Sequence, residues 1–450
     1  MSQLKATYRE IWHIAYPLIL GNLVYTMIGM CDTAFMGKID NAHIANVAQA
    51  AIGPSAIFYS VLFMIGFAYT RGTQILIARK MGEGKPQEVG EIVDNAIVIM
   101  LASSLVLFAL IRIFSNKLLG AMMHDKEIVE ASEAFLNYRI WGILASFTSC
   151  VFISFYSGIG KTRLLTLSIG LMVVINIILN YLLVFGKWGF PEMGIAGSGL
   201  ASSISEWLSV LVMVGGVFIH NRRRDFQLFN IRKLHFPLIS NMTKVAVPLV
   251  IQAIIANGAW FVLFIFIEKM PRGQENLAIS SILRILIIFI SVPVWALGSV
   301  TNTVVSNLSV QDDLEGVKKA IHRISLMSMA MVAVQCIILG VAPRFILHLF
   351  TNDMVLIDQA VPIMWIVIVA LIMLSFTVIF FNGVVSVGET THEALYIEIL
   401  TVVVYFLYFD GLFHIPGITL PYIWTAEWVY WLVMLGGSVF MLRRKKVHLF

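Results

Sequence analysis

One acidic residue stands out for its surroundings. Asp32 interrupts the apolar run Ile11–Phe35. A charged side chain inside such a run is costly, and it commonly marks an ion pathway or a proton relay. Asp32 lies six residues before Lys38, about 9 Å at helical rise. Asn180 lies seven residues before Lys187, about 10 Å, on a second apolar run of the same direction. The two side chains therefore fall at one depth. Asn176 and Asn180 are spaced i,i+4 and share a helix face. One carboxylate and two side-chain amides offer the hard oxygen ligands that small hard cations prefer, and the carboxylate alone can take up a proton. The same three residues also fit a plain hydrogen-bonded helix contact, a frequent use of intramembrane Asn.

The elements that must position these residues are membrane helices. Hydrophobic residues make up 59% of the 450-residue chain, charged residues only 13%, and the mean hydropathy is +0.87. Soluble domains carry about 25% charged residues, so lipid is part of the solvent. Crossing about 30 Å of hydrocarbon takes roughly 20 apolar residues. Twelve runs qualify: Ile11–Phe35, Ile44–Phe67, Ile92–Phe114, Phe135–Gly158, Leu164–Gly186, Ile195–Ile219, Val245–Ile267, Leu277–Val300, Ile324–Ala342, Val361–Phe381, Leu395–Phe413 and Leu420–Leu442. The second and eighth are expected to continue past the lipid, towards Arg79 and Asn307. Strands of a membrane barrel would be about 10 residues of alternating polarity, which these runs are not.

With a cytoplasmic N-terminus, the inner loops hold more than twice as many Lys and Arg as the outer ones. That satisfies the positive-inside rule with both termini in the cytoplasm. The net charge of +5 is thus a topology signal and does not point to nucleic acid. The first apolar run is too long for a cleavable signal peptide and lacks a small-residue cleavage site. Cys31, Cys150 and Cys336 all sit in apolar runs and read as free thiols. No nucleophile–base set or metal cluster accompanies them, so enzyme chemistry is not expected.

The chain repeats itself. His13-Ile-Ala-Tyr-Pro17-Leu matches Lys244-Val-Ala-Val-Pro248-Leu at an offset of 231. Asp125 and Asp353 correspond at an offset of 228, as do Gly160 and Gly388 in two matching helix exits that begin at Phe155 and Phe381. Six helices per repeat give both halves the same orientation, related by a pseudo-twofold axis along the membrane normal. The expected organisation is an N-terminal six-helix lobe (1–219), a basic cytoplasmic linker (220–243) and a C-terminal six-helix lobe (244–450). Two lobes around a central cleft suit a transporter with alternating access. A channel is the alternative on architecture alone.

Two motif matches carry no chemistry. Ser157-Gly-Ile-Gly-Lys161-Thr162 has part of a phosphate-binding loop, but residue 155 is Phe where the motif needs Gly, and apolar helices flank it. Asn241-Met-Thr243 is a glycosylation sequon on the cytoplasmic side.

Several segments resemble the multidrug and toxic compound extrusion (MATE) family. These are Ala15-Tyr-Pro-Leu-Ile-Leu with Cys31-Asp-Thr-Ala-Phe-Met-Gly37, then Gly72-Thr-Gln-Ile-Leu-Ile-Ala-Arg-Lys-Met-Gly-Glu-Gly84, and Asn176-Ile-Ile-Leu-Asn-Tyr-Leu-Leu-Val-Phe-Gly186 with the following Gly189-Phe-Pro-Glu-Met-Gly-Ile-Ala-Gly197. The resemblance covers the whole chain and is stronger in its N-terminal half. It implies two six-helix lobes forming a V-shaped cleft in a bacterial-type inner membrane. It also implies a multidrug antiporter that exports amphipathic, often cationic, organic compounds in exchange for Na⁺ or H⁺, with no cofactor and the single chain as the working unit.

The family's N-lobe ion site uses an Asp on helix 1 and Asn or Asp on helix 5, which maps to Asp32, Asn176 and Asn180. Where some members carry a second acid on helix 5, this chain has Asn180, which leaves the choice of ion open. The family's acids on helices 7 and 10 have no counterpart around Ala256–Asn257 or Ser375. Glu206, Arg284, Glu398 and Glu427 also lie inside spans and read as structural pairs or interface residues. A flippase for lipid-linked saccharides is the runner-up, but it would need a strongly basic cleft, and only Arg284 is clearly intramembrane and basic.

Overall fold

A computed structural model of the chain describes residues 5–36, 38–39, 41–122, 126–219, 222–230, 235–348, 354–387 and 391–445. The described side chains exclude those of 24–31, 33 and 34 in the first helix and a further set in the second, third and tenth. Gly37, Asp125, Asp353 and Gly388 therefore lie outside the described residues, as does the side chain of Cys31.

Hydrocarbon offers no partner for backbone N–H and C=O groups, so an apolar span must satisfy them internally. Every described element is accordingly a helix. In order they are α1 (Tyr8–Met36), α2 (Ala42–Gly82), α3 (Glu88–Met122), α4 (Lys126–Arg139), α5 (Gly142–Gly158), α6 (Arg163–Val184), a 3-10 turn (Lys187–Gly189), α7 (Gly194–Ile219), α8 (Arg222–Phe226) and α9 (Phe236–Glu268). They continue as α10 (Gly273–Ser309), α11 (Leu314–Val341), α12 (Pro343–His348), α13 (Met354–Val387), α14 (His392–Phe413), α15 (Leu420–Trp424) and α16 (Ala426–Arg444).

Among the described residues, ten helices are long and apolar enough to cross a membrane, and the bent pair α4–α5 makes an eleventh. α1, with 29 residues and a length of roughly 44 Å, supplies the twelfth. α2 and α10 run on to Gly82 and Ser309, past the ends of their apolar runs.

The fourth span differs from the sequence reading. Phe135–Gly158 is not one helix: α4 and α5 meet at a 51° bend across Ile140–Trp141. α4 carries Lys126, Glu127, Glu130 and Glu133, too many charges for a lipid span. It instead buries one stripe, Ser132, Phe135, Leu136 and Arg139, at the spacing of an amphipathic helix. Arg139 is buried at 9% exposure. Gly142 opens α5 just where a Cβ would come within 2.6 Å of a Glu206 oxygen.

The chain forms two compact units, residues 16–243 and residues 1–15 together with 244–450. α1 passes from one into the other next to Pro17. In the first unit α5 is buried almost all round and packs on α2, α3 and α7, while α6 and α4 pack on α7. An apolar cluster of Met36, Ala48, Ile52, Leu119, Phe135, Leu136 and Val184 ties α1, α2, α3, α4 and α6 together. The second unit is built around α13, buried along most of its length and packed on α10, α11 and α16. α5 and α13 are the helices that end in the repeated Phe155 and Phe381 segments.

The linker folds back onto the first unit. Asp94 of α3 accepts the N–H groups of Phe229 and Asn230 at 2.9 and 2.8 Å. Asn95 accepts that of His235 at 3.3 Å. The phosphate-loop match is a helix-to-helix turn, with Gly158 ending α5 and Thr162 directly preceding α6. The sequon lies inside α9.

Candidate ion-binding site

The first unit brings Asp32, Asn176 and Asn180 together. Asp32 sits one turn before the end of α1 and is 8% exposed. Asn176 and Asn180 occupy one face of α6 and are 1% and 0% exposed. Asn180 Nδ2 donates to Asp32 Oδ1 at 2.9 Å and to Asn176 Oδ1 at 3.2 Å. The ring is closed from α7. Ser202 Oγ donates to Asp32 Oδ2 at 3.2 Å and accepts from Asn176 Nδ2 at 3.0 Å. α7 comes this close because residue 197 is Gly: a Cβ there would lie 2.7 Å from the Leu183 carbonyl oxygen of α6.

The arrangement leaves oxygen to spare. Asn180 Oδ1 is buried and accepts no hydrogen bond. The buried Ser198 hydroxyl, one turn before Ser202, lies within electrostatic reach of the Asp32 carboxylate. An unpartnered buried carbonyl is costly, so a group that supplies positive charge there gains more than it would in water. With Asp32, Asn176 and Ser202, these atoms form a set of hard oxygen donors suited to a small cation. Among the described residues no group of three or more His, Cys, Asp and Glu side chains is placed to hold a metal ion.

Beside the ring sits a second buried polar group. Arg139 of α4 grips Glu206 of α7 with both terminal nitrogens, at 2.9 and 2.6 Å. Ser146 and Tyr59 donate to the same carboxylate at 2.7 and 3.1 Å. The guanidinium stacks 3.6 Å from the Tyr59 ring centre. Arg139 bonds Glu206 directly and acts on Asp32 through space, so the hydrogen-bond donors to the Asp32 carboxylate are the neutral Asn180 and Ser202. That carboxylate needs a proton or a cation to be comfortable at this burial.

Ser198, Ser202, Arg139 and Tyr59 were not singled out from sequence. A signal existed for part of the set: Ser198, Ser202 and Glu206 recur every four residues and so share one face of α7. Nothing in the sequence signalled that Arg139 turns inward. In the second unit the positions equivalent to Asp32, Asn176 and Asn180 are Leu263, Val404 and Tyr408, and Leu263 is fully buried. Arg284 forms no ion pair with Glu398; its guanidinium lies 5.5 Å from the ring centres of Trp260 and Phe264.

These features define a polytopic helical membrane protein made of two related halves, one of which encloses a buried carboxylate held by neutral side chains. The MatE family signature matches residues 17–182 and again residues 248–408, so the chain belongs to the MatE family. The second match starts at Pro248, the counterpart of Pro17 in the repeat.

Among relatives, the chain is 32% identical over 244 residues to a probable multidrug resistance protein NorM of Listeria monocytogenes, covering 54% of this chain and 52% of that one. It is 27% identical over 279 residues to a protein of the same name in Pasteurella multocida, covering 62% and 58%. The alignment thus spans about half the length of the curated relatives. Among solved structures, an outward-facing multidrug resistance MATE family transporter of the MOP superfamily matches with a TM-score of 0.86 at 16% identity, covering 98% of this chain and 96% of that one. A MOP superfamily transporter from Pyrococcus furiosus matches with a TM-score of 0.88 at 15% identity and the same coverage. At these identities the structural likeness speaks for the fold.

Proposed function

We propose that the protein is a secondary active antiporter that exports amphipathic, often cationic, organic compounds in exchange for Na⁺ or H⁺. In this reading an N-terminal lobe (1–219) and a C-terminal lobe (244–450) alternate access across a bacterial-type inner membrane, with the linker 220–243 and both termini in the cytoplasm. The single chain is the working unit. The observation that carries the proposal is the Asp32 ring: a buried carboxylate with neutral donors only, next to an orphaned Asn180 carbonyl oxygen. Membership of the MatE family and the names of the relatives support the substrate class.

The exchanged ion is cargo, and its ligands are Asp32, Asn176, Asn180, Ser198 and Ser202. When the ion leaves, Asn180 and Ser202 still donate to the carboxylate, which holds α1, α6 and α7 in register while the charge changes. Binding the ion and binding an organic cation compete for the same uncompensated negative charge, and that competition couples the two fluxes.

The test is efflux of an organic cation from proteoliposomes, driven separately by a Na⁺ gradient and by a pH gradient. The reading requires that one of them drives efflux, and the effective gradient names the ion. Failure of both gradients for every organic cation tried removes the proposal and makes lipid-linked substrates the next to test.

A further inference from the structure

The second unit holds a buried acid that the Asp32 reading leaves without a role. Glu398 of α14 is 0% exposed. Its Oε1 accepts from Tyr430 of α16 at 2.6 Å, and its Oε2 faces Gln252 Nε2 of α9 at 2.8 Å. Both partners are neutral, and Glu398 makes no ion pair among the described residues. One step further along, the Tyr430 and Tyr405 ring centres are 5.6 Å apart. Tyr405 Oη donates to Glu427 Oε1 at 3.3 Å, and Glu427 is 5% exposed.

Few charged groups face Glu398 from the helices around it. Arg284 of α10 sits on the Glu427 side and acts on that carboxylate. α13 bears no ionisable side chain after Asp358, in its second turn. α9 has none between Lys244 and Glu268. The Lys445–Glu393 pair lies five residues before Glu398 along α14 and is closed on itself. Two acids and one guanidinium therefore share this interior. Arg284 acts on Glu427 through space without an ion pair, and the groups in contact with Glu398 among the described residues are the neutral Tyr430 and Gln252.

A carboxylate this buried with only neutral donors is strongly disfavoured as an anion. Gln252 supplies a second, independent observation. Its Oε1 is buried and accepts no hydrogen bond. Turning the amide over presents that oxygen to Glu398 Oε2, where it can accept an O–H. In one orientation the amide donates to a carboxylate; in the other it accepts from a carboxylic acid. The same residue thus satisfies both protonation states.

We propose that Glu398 is a second proton-binding site, in the half of the chain opposite to Asp32, with Gln252 and Tyr430 as the groups that position its proton. Binding forms an O–H bond at Oε2 directed at Gln252 Oε1, and release returns Oε2 to the Gln252 amide N–H. The three helices α9, α14 and α16 are joined through this one carboxyl, so its proton occupancy acts on all three at once.

The experiment is infrared difference spectroscopy of the full-length protein in liposomes between acid and alkaline pH, read in the carboxylic-acid C=O stretch. The expected result is a band that Glu398→Gln abolishes and that Asp32→Asn and Glu427→Gln leave in place. The Tyr430→Phe and Gln252→Leu proteins keep the band, and Tyr430→Phe moves it to higher frequency, because the carbonyl oxygen loses a donor. These two variants keep the test open should Glu398→Gln not fold. A spectrum unchanged by Glu398→Gln overturns the proposal, as does a Tyr430→Phe band at the wild-type frequency or a band that follows Na⁺ at fixed pH. Because Asp32→Asn retains the band, failure here is distinguishable from failure of the Asp32 reading.

Discussion

Replacing Glu206 by Gln keeps the volume of the side chain and removes its charge. The carboxylate takes two bonds from Arg139, one from Ser146 and one from Tyr59. A Gln amide presents an NH₂ where one of these oxygens was, so at least one donor then faces a donor. Arg139 loses the carboxylate that both its terminal nitrogens grip. Removing one partner of a buried pair costs about 3–5 kcal/mol. Arg139→Met strands the Glu206 carboxylate and costs a similar amount. The double variant Arg139→Met/Glu206→Gln leaves no buried charge stranded, and its loss falls short of the sum of the singles by at least about 2 kcal/mol. The assay is a double-mutant cycle on the purified protein, with stability read from thermal or detergent-induced unfolding. A Glu206→Gln loss below about 1 kcal/mol, the range of solvated surface pairs, refutes the reasoning, and so do additive losses.

Three further outcomes follow from the geometry. Ser202→Ala removes the donor to Asp32 Oδ2 and the acceptor for Asn176; at about 1–3 kcal/mol for a disrupted buried bond, apparent affinity for the coupling ion falls roughly fivefold or more, read from the ion dependence of efflux. Gly197→Ala pushes a methyl against the Leu183 carbonyl of α6; overpacking of this kind costs about 1–3 kcal/mol and lowers the unfolding temperature, whereas Gly170→Ala, with open space at its Cβ, does not. Asp94→Ala leaves the Phe229 and Asn230 N–H groups without their acceptor, so limited proteolysis cuts the segment near 227–235 faster than in the wild type.

The fold was legible from composition and run length because a lipid solvent imposes one rule on every span. The repeat was legible because Pro17 and Pro248 mark the same position in both halves. The fourth span was misread at its start: run length located the apolar stretch, but the bend depends on where Arg139 finds Glu206, and that is a tertiary fact. Asp32, Asn176 and Asn180 were readable as a group because helical rise converts residue number into depth. Ser202, which closes the ring, looks like any small residue of a helix interface. Glu398 was read as a structural acid, and its partners Gln252 and Tyr430 lie 146 and 32 residues away in the chain, beyond any local pattern.

The central claim is that Asp32 carries the exchanged ion, and ion movement driven by substrate tests it most directly. Proteoliposomes are loaded with an organic cation, no ion gradient is imposed, and Na⁺ and proton movement is followed as the substrate leaves through wild type and Asp32→Asn. Wild-type protein is predicted to move one of these ions opposite to the substrate. The Asp32→Asn protein, still folded by its thermal unfolding, is predicted to move neither. Substrate-driven ion movement of wild-type size in the Asp32→Asn protein contradicts the account.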